Sequence, residues 1–180
     1  MNTDIHDDPL LHAAWRGDEQ AFAQLLDRHY DQIYRFAFRW SGNKADAEDI
    51  TQLACIKLAR SLRQFRFEAR FSTWLYRLVV NCAKDWHKTE HRHRTNLAEE
   101  IPEAADELSN GVENFTYLQQ ILHLLDGMTD GFKETALLVL AEGFSHAEAA
   151  GILGVKENTV SWRIHEIRQT LQRQLPEEKP

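Results

Sequence analysis

A chain of 180 residues, 43% apolar and 27% charged, has room for one domain or two small ones and the composition of a soluble globular protein. No run of about 18 apolar residues occurs, which excludes a membrane-spanning helix, and the acidic, polar start MNTDIHDDPL is unlike a signal peptide. A net charge of −7 excludes a uniformly basic nucleic-acid binder, so the distribution of charge along the chain decides that question.

Few glycines, four prolines and almost no β-branched alternation predict an all-α protein. Pro9 to Trp15 reads as a short first helix. Asp18 caps the next, in which Phe22, Leu25, Leu26, His29, Ile33, Phe36, Ala37 and Trp40 keep helical period to about Ser41. Gly42-Asn43 is a turn. A third helix starts near Lys44 and is expected to carry Ile50, Leu53, Ala54, Ile56, Leu58 and Leu62 inward. Its first turns hold Asp46, Glu48 and Asp49. Acids at a helix N-terminus favour the dipole; three together also suit a docking patch for a basic partner surface.

Arg63 to Arg70, RQFRFEAR, has no clean period and reads as a loop. Ser72 then caps a helix with Trp74, Leu75, Leu78, Val79, Cys82 and Trp86 on one face. The other face carries Arg77, Asn81, Lys84, Asp85 and Lys88. Aromatics interleaved with bases suit single-stranded nucleic acid, rings for stacking and cations for phosphates. The competing reading is that the rings are core; Phe71 and Trp74 are expected inside, Phe67 and Trp86 more exposed. Cys55 and Cys82 each lie in an apolar helical pattern and read as free thiols of a cytoplasmic protein. His87, His91 and His93 cluster at the end of this helix, and His6, His12 and His29 lie near the start. No paired carboxylate or cysteine joins them at ligand spacing, so they read as an extension of a basic surface, and neither a metal nor another cofactor is expected.

From Arg60 to Arg94 the segment is net positive by six: nine Lys and Arg against Glu68, Asp85 and Glu90. From Asn96 to Asn114 six acids stand without a base. A basic block followed by an acidic one suggests a nucleic-acid surface and a solvated linker. Beyond it Leu118, Ile121, Leu122 and Leu125 begin a second set of helices. Gly127-Met128-Thr129 is a break, Thr129 or Asp130 is the next cap, and Phe132, Ala136, Leu137, Val139 and Leu140 follow until Gly143.

Ser145 to Arg168 then reads SHAEAAGILGVKENTVSWRIHEIR. Ser145 with Glu148 makes a capping box. Ala149, Ala150, Ile152 and Leu153 form a short apolar helix face, and Gly154 supplies the left-handed turn. A second helix begins near Lys156–Asn158, with Val160, Ile164, Ile167 and Leu171 inward. Two short helices joined by a glycine turn are a helix-turn-helix, whose second helix enters the major groove. Its outer face would present Lys156, Asn158, Thr159, Ser161, Trp162, Arg163, His165 and Arg168. An ordinary helical hairpin is the bland alternative.

The segments AEDI and FSTWLYRLVVNCAKDWHK, followed after a linker by FSHAEAAGILGVKENTVSWRI, resemble bacterial RNA polymerase sigma factors of the extracytoplasmic-function type. The resemblance runs from about Leu10 to Leu175, with two motif blocks in the right order. It implies two small helical domains joined by a flexible acidic linker: 1–95 for polymerase binding and −10 melting, 96–113 as linker, and 114–176 as the −35-reading helix-turn-helix bundle. It implies core RNA polymerase (its β′ clamp helices and β flap) and promoter DNA as partners, with an anti-sigma factor as inhibitor and stress response as the setting. Position by position, it puts polymerase binding on Asp46, Glu48, Asp49 and Gln52. It puts −10 DNA contacts on Phe67, Arg70, Arg77, Asn81, Asp85 and Lys88, with the loop from Phe65 to Arg70 capturing a flipped base. It puts −35 contacts on Lys156, Asn158, Thr159, Ser161, Trp162 and Arg163. No catalytic residue is implied, because the polymerase does the chemistry.

The chain departs from the family pattern in two places. Where Val-Gln-Glu is common it has Thr51-Gln52-Leu53, so one acid is missing and a hydroxyl takes a place beside the patch. Phosphorylation of Thr51 would restore about two negative charges. The reading helix has Ser161 and Glu166 where bases are common, and Lys156 where a small N-cap is usual, which predicts weaker −35 binding and a shallower salt slope. A helix-turn-helix repressor or activator working without polymerase is the alternative reading, and a small metal-dependent hydrolase a remoter one.

Overall fold

The computed structural model describes residues 8–96, 120–128 and 131–174, and among these every regular element is helical. Helix α1 (Pro9–Arg16) starts at Asp8, whose carboxylate accepts from Leu10 N–H, and has proline in its first turn, where a missing N–H costs nothing. Asp18 caps α2 (Glu19–Ser41) by accepting from Ala21 N–H, as its sequence position predicts. Gly42, at φ +75°, ends α2, and Asn43 caps α3 (Lys44–Ser61), so α3 folds straight back onto α2. A 3₁₀ turn (Leu62–Gln64) and a loop lead to α4 (Phe71–Asn96). Because α4 begins at Phe71, Ser72 stands inside its first turn and not at its cap.

These helices close around Leu11, Leu25, Ile33, Phe36, Ile50, Leu58, Phe71 and Leu75, all at most 2% exposed. Two expectations for α3 are corrected here. Leu53 and Ile56 are 40% and 42% exposed, whereas Thr51 is completely buried. The inward stripe is Ala47, Ile50, Thr51, Ala54 and Leu58, whose spacings of three, one, three and four define one helix face; Leu53 and Ile56 lie off it.

The second half holds the helical residues 120–126 (α5), α6 (Phe132–Ala136), a π turn over Leu137–Ala141, α7 (His146–Leu153) and α8 (Glu157–Gln174). Gly131, at φ +94°, occupies the N-cap of α6; Thr129 and Asp130, the residues suited to that role by type, lie outside the described residues. The π turn closes through Glu142 N–H to Leu137 C=O, and Gly143 at φ +75° turns the chain toward α7. Leu122, Leu125, Phe132, Leu138, Ile152, Val160, Ile164 and Ile167 form the core of this half. The inferred linker, 96–113, lies outside the described residues but for Asn96. The two halves touch, chiefly where α7 packs on α4. Both cysteines are free; Cys82 is buried, which pushes its thiol up to about 11.

Candidate nucleic-acid interface

The capping box at Ser145 is complete. Glu148 N–H donates to the Ser145 hydroxyl, and Ser145 N–H donates to the Glu148 carboxylate. The Glu148 carboxylate accepts from Ser145 N–H and also from the Ser145 hydroxyl, and these two bonds hold it below its ordinary range. Gly154 at φ +68° makes the turn, and α8 buries Val160, Ile164 and Ile167 against α6 and α7. The outer side of α8 exposes Lys156, Asn158, Ser161, Trp162, His165 and Arg168, with Trp162 54% exposed and Thr159 half-buried. Ser161 is within hydrogen-bond distance of His146 Nδ1, 2.8 Å.

Arg163 departs from the outer row. Its guanidinium donates to Thr135 Oγ1 at 3.4 Å, lies 5.9 Å from the centre of the Phe132 ring, and packs against the missing side chain of Gly131. A helical step of 100° per residue carries position 163 past the exposed face and onto α6.

On the first half, α3 and α4 border a groove of about 320 Å³. Trp74 and Leu78 give it an apolar side. Lys57, Arg60 and Arg77 supply cations, and Gln64 and Asn81 supply amides. Its size and lining suit an unstacked nucleobase with its phosphate: a ring to stack on, amides for a base edge and cations for the backbone. Asn81 and Arg77 are residues the sequence nominates. Lys57, Arg60 and Gln64 are not, because they belong to the end of α3 and the 3₁₀ turn, and only folding brings them to α4. Asp85 pairs with Lys57 at 2.8 Å, a half-exposed contact of less than about 1 kcal/mol. That hydrogen bond holds the Lys57 ammonium above its ordinary value. Lys88 is exposed on the same helix.

Phe67 is less open than its place in a loop suggests. It is half-buried at φ +56°, the only described non-glycine residue with positive φ. Its ring lies flat on His12, centroids 4.5 Å apart and 5° from parallel, and meets Trp15 at 5.7 Å and Phe65 at 4.7 Å. A bulky side chain in the left-handed region costs of the order of 1 kcal/mol, so this aromatic nest holds the loop. Trp86 is likewise half-buried against the core, Phe71 is buried as expected, and Trp74 is half-buried. Arg70 pairs with Glu148 at 3.1 Å, and Arg77 donates to Ile152 C=O at 3.3 Å and to Gly151 C=O.

A second exposed face lies at the start of α3. Asp49, Gln52, Leu53 and Ile56 follow at spacings of three, one and three and share one exposed side; Glu48 stands beside it, paired with Lys44 at 3.8 Å. Asp46 is half-buried and is tied to the cap, its N–H donating to Asn43 Oδ1 and its carboxylate accepting from Asn43 Nδ2. Sequence reasoning missed Leu53 and Ile56; counting the core stripe of α3 would have found them. Thr51 is a correction. Its hydroxyl is buried and donates to Ala47 C=O at 2.7 Å, so it lies beneath the acidic face and is closed to a modifying enzyme in this fold. Among the described residues no group of His, Cys, Asp and Glu is arranged to hold a metal ion, and no helix is long and apolar enough to cross a membrane.

Comparison with known proteins places these surfaces in context. The Sigma-70 region 2 family matches residues 25–93. The ECF RNA polymerase sigma factor SigM of Mycobacterium tuberculosis is 35% identical over 169 residues, which cover 94% of this chain and 84% of that protein. The ECF RNA polymerase sigma factor SigE of Mycolicibacterium smegmatis is 34% identical over 168 residues; these cover 86% of this chain but 63% of that longer protein. Among solved structures, the sigma factor RpoE bound to the anti-sigma factor NepR from Bartonella quintana shares the fold. It has a TM-score of 0.67 at 22% identity and covers 89% of this chain and 99% of that one.

Proposed function

The chain belongs to the ECF RNA polymerase sigma factors, and from that premise we propose that it binds core RNA polymerase and directs it to promoters through a −10 and a −35 element. The observation that carries the assignment of surfaces is the groove between α3 and α4. It joins Trp74, Asn81 and Gln64 to Lys57, Arg60 and Arg77, which is what a base pulled out of the duplex requires. Flipping a base costs a few kcal/mol, which contacts of this kind offset. Phe67, Arg70, Asp85 and Lys88 border or extend this face. In this reading the outer row of α8 (Lys156, Asn158, Thr159, Ser161 and Trp162) reads the −35 duplex, and Arg163 acts through the packing of α8.

Glu48, Asp49 and Gln52, with Leu53 and Ile56, form the polymerase-docking face; Asp46 sets the start of that helix. Exposed apolar residues framed by acids suit a protein partner better than solvent. The two helical units correspond to 1–95 and 114–176, joined by the acidic linker 96–113. The chain contributes binding and positioning, with the polymerase performing the chemistry in the cytoplasm. An anti-sigma factor is the kind of inhibitor that would hold it in reserve, since a solved structure of the same fold is such a complex.

The test is run-off transcription with purified core polymerase on a pool of promoter fragments. Start sites that need the wild-type chain should vanish with Asp49→Arg and with the double variant Leu53→Ser, Ile56→Ser, while both variants melt like the wild type. Transcription unchanged by either variant removes the docking face from α3. Tight duplex binding with no transcription by the wild type favours a helix-turn-helix regulator acting without polymerase.

A further inference from the structure

We propose that α1 is a positioning element for the −10 contact: His12 and Trp15 fix the shape of the loop at residues 65–70, and through it they decide which base the groove between α3 and α4 accepts. The inference rests on the reading of that groove as the −10 site. No regular element spans residues 65–70, so the loop takes its shape from what grips it. Its grips come from α1. At the entrance to the loop the Arg63 guanidinium lies over Gly17, the residue that ends α1. The Trp15 indole N–H donates to Phe65 C=O at 3.0 Å. The His12 ring lies flat on that of Phe67, and Trp15 meets the same ring edge-on.

The helix can do this because two of its sides are used separately. Leu11 and Ala14 are buried in the core, whereas His12 and Trp15, three positions apart on the neighbouring side, are half-buried against the loop. The bond to Phe65 reaches the groove. Phe65 is 3% exposed, and its ring meets Trp74 at 5.5 Å and Phe71 at 5.6 Å. Trp74 is the apolar side of the groove, so contacts run without a break from Trp15 through Phe65 to the ring on which a base would stack. The stack on Phe67 acts on the rest of the loop. A bulky residue keeps a positive φ only where its neighbours over-determine it, and such positions gather at binding sites. The rings of His12, Trp15 and Phe65 surround Phe67 and supply that constraint. Phe67 then acts on the base through the loop. None of the residues nominated for DNA contact lies on α1, so its influence falls on the fit of the base and not on the attraction of phosphates.

The experiment is run-off transcription by holoenzyme reconstituted from core polymerase and the full chain, on one promoter in versions carrying each of the four bases at every −10 position. The ratio of best to worst base, at the position of strongest preference, measures discrimination. Trp15→Phe keeps a ring and removes the N–H; it should lower that ratio about five-fold, the usual worth of one hydrogen bond. His12→Ala should lower it about three-fold, in line with the loss of one aromatic pair. His12→Phe, which restores a flat ring, should bring it back to within about two-fold of the wild type.

Equal losses on all promoter versions, with the ratio unchanged, overturn the proposal, since α1 would then serve stability alone. Transcription unaltered in both Trp15→Phe and His12→Ala overturns it too. A wild type indifferent to every −10 base removes the −10 reading and the proposal with it. A wild type whose discrimination is lost in the groove variant Asn81→Ala, yet kept in both α1 variants, overturns the proposal alone.

Discussion

Thr51 stands at a position that the spacing of α3 reserves for the core, and its chemistry follows from that place. Thr51→Glu would bury a carboxylate without a partner and should cost at least about 3 kcal/mol, read as a large fall in melting temperature. Thr51→Val should stay within about 1 kcal/mol, because Ala47 C=O is already engaged by the helix. Wild-type stability in Thr51→Glu would return the residue to the surface and revive its modification. His29 carries a pH prediction. It is 6% exposed, its Nδ1 lies 3.1 Å from Gln32 Oε1, and its Nε2 has no partner. Burial lowers its pKa, so below the ordinary imidazole value the unfolded chain binds a proton that the folded chain refuses. Stability is therefore lost as pH falls through about 6.5, by up to about 1.4 kcal/mol per unit, and this component disappears in His29→Leu. Urea titrations of both proteins at neutral and mildly acidic pH would show parallel stabilities if the idea is wrong. The sequence pattern marks His29 as inward but says nothing of what meets its ring nitrogens.

At the scale of elements, what could be read in advance was what is local. The cap Asp18, the capping box of α7 and the turn at Gly154 each depend on residues within about four positions, and such motifs are legible in a string; Asp8 and Asn43 cap α1 and α3 in the same local way but emerged only with the structure. Leu53 and Ile56 were misjudged because apolar identity was weighed above spacing. Gly131 was missed for another reason: its left-handed φ of +94° is set by the fold, and the guanidinium that lies over it comes from Arg163, thirty-two positions later. A Cβ at Gly131 would fall 2.4 Å from that guanidinium, at φ +94°. Gly131→Ala should therefore cost more than about 1 kcal/mol in thermal unfolding and shift the resonances of α8. A neutral result would mean that the backbone at Gly131 relaxes out of the left-handed region and that Arg163 swings away from it.

For the whole molecule, the informative contacts span great distances in the chain. Arg39 and Glu142 are 103 positions apart, and no periodicity or motif links them. The block charges were visible in the sequence, a basic stretch from Arg60 to Arg94 in a chain of net charge −7, but not which acids would answer it. Those acids proved to include Glu134 and Glu148 of the second half, which meet Lys84 and Arg70, while Glu142 meets Arg39 outside that stretch. Arg163 makes a long-range contact of another kind. Fixed on Gly131, Thr135 and Phe132, it belongs to the mounting of α8. The exposed row of Lys156, Asn158, Ser161, Trp162, His165 and Arg168 is separable from that mounting. It forms an interchangeable cassette, in which promoter preference could be rewritten by grafting while Gly131 and Arg163 hold the frame.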